Sequence, residues 1–283
     1  LSGTGLATIT GNIGVTNALT SLEINAVDAS TNTGGVTLGG NIGVGTTSGT
    51  TPGAGIVNLG NDDTTGVITL SGVSLNTSGA LTLSSSGGYA ISGTTNAGTT
   101  IVTSGDAVTF GTATITGDVT VGEKPFAIDT DTTEATGGSA GGAITFYGDI
   151  IGADTGNAST NTASDVTLDA HDAIVTVNGI GANGSSQVDE INDISITGAT
   201  IKLDGIYNAT GITGDAAGIT FTGAVQLAGD VTLDSDSSND GNISFSSTIN
   251  DDGSSSTTSN LVIKSGTGTV GVTDKIGAGS SGT

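Results

Sequence analysis

The chain of 283 residues has no Cys, no Met and no Trp, two Pro, one His and four basic residues, all of them Lys. Each absence excludes something. Without Cys there is no disulfide, no thiolate catalysis and no Cys-ligated zinc. Without Arg, and at a net charge of -23, the cationic footprint that nucleic acid requires is missing. No apolar run approaches the roughly 18 residues that a membrane-spanning helix needs. Helical signals are sparse: Glu23, Glu123, Glu134 and Glu190 are the only Glu among 27 acidic residues. No window carries an apolar stripe at the 3.6-residue period. The first residue is Leu1, with no basic or apolar leader behind it, and the expectation is a processed product or an excerpt of a longer chain.

What is abundant is Gly, with 50 residues against about 7% in ordinary chains, together with Thr, Ser, Asn and Asp. Such a composition is shared with disordered chains, but the order of the residues is not. An apolar-Thr-apolar triplet recurs around Thr37, Thr69, Thr82, Thr109, Thr120, Thr145, Thr167, Thr176, Thr220 and Thr232. Leu22-Glu23-Ile24, Val57-Asn58-Leu59, Ile194-Ser195-Ile196, Ile201-Lys202-Leu203 and Ile243-Ser244-Phe245 keep the alternation with another polar centre. Period-2 alternation rich in β-branched residues is the strand signature, with the apolar pair turned inward and the centre outward. Gly, Asn, Asp and Ser between the triplets supply turns. The chain reads as all-β, built of many short strands.

Longer similarities overlie that pattern. Gly117-Asp-Val-Thr-Val121 recurs as Gly229-Asp-Val-Thr-Leu233, and Val108-Thr-Phe110 as Ile219-Thr-Phe221. Gly142-Ala-Ile-Thr-Phe146 recurs as Gly241-Asn-Ile-Ser-Phe245, Asp165–Leu168 as Asn260–Ile263, and Ile180-Gly-Ala182 as Ile276-Gly-Ala278. A module of roughly 95–112 residues is implied, about two and a half of them in the chain. Ser2–Gly14 also aligns with Ser265–Gly277.

Modules that merge without linkers and carry few aromatics suit a parallel β-solenoid, where each level buries its inward residues on its neighbours. An antiparallel sandwich array is the alternative. At about 25 residues a level, residues 1–283 form one continuous solenoid of roughly 11 levels, about 50 Å tall at the strand spacing.

The phrases Gly229-Asp-Val-Thr-Leu, Gly241-Asn-Ile-Ser-Phe with Thr248-Ile-Asn250, Leu261-Val-Ile with Gly266-Thr-Gly-Thr-Val270, and Ala18-Leu-Thr-Ser-Leu22 resemble the low-complexity repeats of giant secreted bacterial surface proteins. Those are the filamentous-haemagglutinin-like and autotransporter-passenger-like β-helices. The resemblance covers essentially the whole chain. It implies a right-handed parallel β-helix, export to the cell surface, and a role as adhesin shaft or surface fibre. It carries over no active-site residue.

Chemistry has few candidates. Asp236-Ser-Ser-Asn-Asp240-Gly241 places oxygen ligands at positions one, three and five of a calcium loop, but Ser247 stands where the bidentate Glu belongs. Asp234 joins it, and Asp129 and Asp131, followed by Glu134, are the counterpart one module earlier. Asn61–Asp63 and Asn250–Gly253 are similar clusters. For all of them the alternative is that Asp and Asn make solvated turns. His171, in Asp169-Ala-His171-Asp172, aligns with a Gly-rich turn and is expected to be a turn residue. No cofactor is required on this reading, and calcium is the one candidate ligand.

Neither end of the sequence shows a capping helix or a Pro-bearing charged segment, so the coil is expected to continue, either in the same chain or by identical subunits stacking head to tail. The expected function is structural: an extracellular filament or adhesin-shaft segment giving stiffness and reach. A calcium-dependent module binding a glycan, a host-cell or a neighbouring-cell surface is the second reading. A polysaccharide-active β-helix enzyme is the third; zero Arg and three scattered Tyr count against it.

Overall fold

The computed structural model describes residues 2–3, 5–26, 34–43, 53–92, 98–122, 124–131, 140–152, 164–181, 191–210, 216–236, 240–253 and 258–277. Every regular element among them is a β-strand, and every strand pairing is parallel. The chain is a parallel β-solenoid with three faces.

Three ladders run the length of the coil. On the first face Ala7, Val36, Ile68, Tyr89, Val119, Ile150, Ile180, Tyr207, Leu233 and Ile263 stand in register, each paired with the next. On the second, Ile13, Ile42, Leu75, Ile101, Ile128, Leu168, Ile196, Phe221, Phe245 and Val272 do the same. The third carries Leu22, Val57, Leu81, Val108, Ile144, Val175, Ile201, Val225, Ile249 and Ile276. Each ladder therefore has ten levels, spanning roughly 43 Å at the spacing of adjacent strands. The period is looser than a constant 25 residues: 32 from Val36 to Ile68 and 21 from Ile68 to Tyr89. Corner segments absorb the difference, because only the strands are held in register.

Alternation explains the packing. In all ten Thr-centred triplets both apolar flanks are buried and the Thr faces out. On the third face Thr82, Thr109, Thr145 and Thr176 form an outward column over four consecutive levels. Inside, aromatic side chains gather in two groups. Phe110 and Phe146 stack at 4.7 Å and 12°, with Phe126 edge-on to both and Tyr89 edge-on to Phe110. Three levels on, Phe221 stacks on Phe245 at 5.1 Å, with Tyr207 edge-on.

Most of the long sequence matches do not follow the faces; Gly117–Val121 and Gly229–Leu233 both reach the first face, but the others change. Val108–Phe110 lies on the third face and Ile219–Phe221 on the second; Ile144–Phe146 lies on the third and Ile243–Phe245 on the second. Asp165–Leu168 lies on the second face, whereas Asn260–Ile263 runs onto the first. The structural repeat is the single level, and the faces are interchangeable in residue type because each needs the same inward-outward alternation.

Two strands, Ile191–Asn208 and Ile219–Asp234, turn through two corners without leaving the ladder. Elsewhere a buried hydroxyl closes the corner. Thr130 Oγ1 donates to the Gly142 carbonyl at 2.7 Å and accepts the Gly142 N–H at 3.1 Å. Thr77, Ser235 and Ser265 donate in the same way to Gly79, Gly241 and Gly268. These clamps fix where the chain re-enters the sheet however long the intervening segment is. Thr130→Val keeps the shape but leaves both Gly142 groups unpaired. It is expected to lower stability by about 1–3 kcal/mol, measured as a shift of the urea midpoint.

Candidate functional site

Most of the described acidic residues sit at or beside corners, and their first role there is local. A carboxylate or amide at the end of a strand accepts the backbone N–H two residues on, which is the side-chain-to-backbone turn that Asp and Asn favour. Asp129 accepts from Asp131 at 2.9 Å, Asp169 from His171 at 2.9 Å, Asp234 from Asp236 at 3.0 Å, and Asn61 from Asp63 at 3.1 Å. Asp251 accepts N–H groups from both Gly253 and Ser259, which hold its carboxyl below the usual range.

Their second role joins levels. Asn12 accepts the N–H of Asn41, and Asn41 that of Ser74. Asp118 accepts from Asp149, Asp193 from Gly218, Asp230 from Asn260, and Asn242 from Thr269. In each case a side chain on one level receives an N–H from the next. The repeated direction follows from parallel strands, whose N–H and C=O groups point the same way at every level.

The five carboxylates nominated from sequence fall into two separate places. Asp129 and Asp131 lie between the second and third faces at the fifth level, and Asp234, Asp236 and Asp240 between the first and second faces at the ninth. Four levels separate them, about 19 Å. Asp131 is buried and its Oδ2 lies 3.9 Å from Nε2 of the exposed His171. Asp129 neighbours Asp169 on the ladder. Asp234 forms an ion pair with Lys264 of the next level at 3.0 Å. One oxygen of Asp240 accepts both the N–H and the hydroxyl of Thr267, at 2.6 and 2.8 Å. Among the described residues no three His, Cys, Asp or Glu side chains converge as a metal would need. Residues 237–239 of the half calcium loop, and Glu134, lie outside the described residues.

His171 has a φ of 50°, the one non-Gly residue with positive φ among those described, and occupies a turn. Tyr89 and Tyr207 are interior: the Tyr89 hydroxyl accepts from Ser85 N–H and donates to the Leu83 carbonyl, and Tyr207 donates to the Val177 carbonyl at 2.7 Å. Burial pushes both phenols up.

The first face has a shallow depression of about 490 Å³ between Val67, Gly87, Ala90, Thr116, Thr120 and Ile151. It exists because Ala90 replaces the outward Thr between Thr69 and Thr120 in the column. Its single carboxylate is Asp118.

Alternation gave no warning of the negative charges that act on Asp149 beside that depression. Asp149 follows Asp118 by one level, and the charges of both Asp118 and Asp204 act on it. Partial burial pushes the Asp149 carboxyl up, and the two neighbouring negative charges push it further. A carboxyl raised by folding destabilises the fold when ionised and ceases to do so as pH falls through its folded value. Asp149→Asn is therefore expected to raise the melting temperature at pH 7. The gain should vanish below the ordinary Asp range of about 3.9 and stay under about 1 kcal/mol, since half of the group faces screening solvent. Thermal melts at pH 3 and pH 7 check it.

Compared with known proteins, the chain matches no family model, no curated protein and no solved structure. What the fold shows is a β-helix repeat protein.

Proposed function

We propose that the chain is an extracellular structural rod, the shaft segment of a surface filament or adhesin, whose work is stiffness and reach. The observation that carries this reading is the unbroken run of three parallel ladders over ten levels. Each interior strand pairs on both sides, so an axial load is shared by many backbone hydrogen bonds along three faces at once. The side chains with chemistry are already occupied in holding corners: Asp240, Asp234 and Asp129 serve turns and neighbouring levels. A solenoid also suits the amino-acid supply of this chain, since thin stacked cores need few aromatics. On this reading the rod is not an enzyme and needs no metal. Removing calcium with EDTA is expected to leave its melting temperature within about 1 °C, whereas an ordered calcium site would add several degrees at saturating ion.

Electron microscopy of the native surface material, labelled with an antibody to this chain, tests the reading. Labels spaced along the length of a thin straight fibre are expected. Labels on separate globules, or confined to fibre tips, would overturn it.

A further inference from the structure

The three faces differ in charge. Outward positions of the first face carry Asp118, Asp149 and Asp234, and those of the second carry Asp129 and Asp169. On the third face two outward columns flank the inward ladder. One residue before it, levels one to seven run Ser21, Ile56, three Ala, Ile174 and Thr200. One residue after it, they run Glu23, Asn58, four Thr and Lys202. The eighth and ninth levels add Ala224, Gln226, Thr248 and Asn250. From the second level to the ninth these columns hold one Lys and no acid, on a chain of net charge -23. Ile56 is 51% exposed and Ile174 44%.

The pattern is symmetric about the fourth level, where Ala107 and Thr109 stand. Ile56 lies two levels before it and Ile174 two levels after. Glu23 lies three levels before and Lys202 three after, with opposite charges. We propose that the third face pairs with the third face of a second copy, antiparallel, about a two-fold axis that runs along the strand direction at Ala107 and Thr109. That operation lays the first level on the seventh and the second on the sixth. Ile56 meets Ile174 of the other copy, Thr82 meets Thr145, and Glu23 meets Lys202, each contact occurring twice, as an isologous interface requires. A two-fold axis along the coil would instead lay Lys202 on Lys202 and Glu23 on Glu23, and like charges so placed repel. Charge therefore selects the antiparallel seating, which also turns the carboxylates of the other two faces away from the contact. The strip measures about 29 Å by 10 Å. That is well below the roughly 800 Å² per partner of a standard interface, so the pair is expected to be transient, with micromolar or weaker affinity. The pairing goes beyond the rod reading and does not rest on it.

Sedimentation equilibrium from micromolar to millimolar concentration tests it. The mass is expected to rise from that of one chain towards that of two, and no further. Glu23→Lys and Lys202→Glu each put like charges together at both symmetric contacts and are expected to weaken the dimer at least about tenfold. Glu23→Lys also takes two units off the negative net charge, so general repulsion alone would strengthen association in that variant. The chain carrying both substitutions restores the opposite pairs and is expected to regain the original affinity. Ile174→Thr, which copies Thr200 of the next level, gives a weakening without any change of charge. Growth past the dimer, an unchanged or tighter dimer in any of these single variants, or a double variant as weak as Glu23→Lys and Lys202→Glu would each overturn the proposal. A chain that stays monomeric at every concentration also overturns it but leaves the shaft reading standing, since single rods could still be labelled along native fibres.

Discussion

Phe146→Ala is expected to lower stability by about 3–5 kcal/mol, the cost of removing a fully buried aromatic ring. Phe146 is 1% exposed, stacked on Phe110 of the previous level and edge-on to Phe126 of its own. The upper part of the range is expected because the site cannot collapse. Ladder hydrogen bonds above and below hold the levels one strand spacing apart, so neighbouring residues cannot close over the void. The stack also spans two levels, so both lose ring contact. Because each level touches only its neighbours, the loss should fall on the middle of the coil. The urea transition should move to lower concentration and can split, with the levels around Phe221 and Phe245 melting later. A change below about 1 kcal/mol would mean that the rings do not pack as described.

Gly223→Ala is expected to be at least as severe, about 3 kcal/mol or more. Gly223 lies at a corner inside the strand Ile219–Asp234, with a φ of 137° that L side chains rarely adopt, and its added Cβ would overlap the Gly198 carbonyl of the level before. Gly241→Ala meets the Ala217 carbonyl in the same way. In both places the obstacle is backbone, which yields only if two levels separate. Gly253→Ala supplies the contrast: φ is 70° there but the Cβ would meet nothing within 4 Å. Only the cost of a left-handed conformation remains, about 1–2 kcal/mol. Far-ultraviolet circular dichroism melts of the three variants separate crowding from torsional strain. Equal losses at Gly223 and Gly253 would show that the close approach between levels is absent.

The candidate site was less legible than the strands. Asp129, Asp131, Asp234, Asp236 and Asp240 could be picked out from their spacing, and that spacing does mark turns, since an Asp caps the N–H two residues on at three of those corners or their neighbours. Whether two carboxylates share a level depends on how many residues the intervening corners take. The negative charges of Asp118 and Asp204 that act on Asp149 could not be found that way, because they are 31 and 55 residues from it along the chain and come near only through stacking. The hydroxyl clamps were equally hidden: Thr130 looks like any other Thr until Gly142 is beside it.

Strand positions, the inward or outward aim of each side chain and the all-β class were already written in the order of residues, because alternation with period two is a local property that pleating turns directly into two faces. Which strand lies above which, that four Thr form a column, and that most of the long matches change face belong to the folded molecule. Those outcomes turn on pairings between residues 21 to 40 positions apart, and corner segments of unequal length hide such pairings from any fixed spacing.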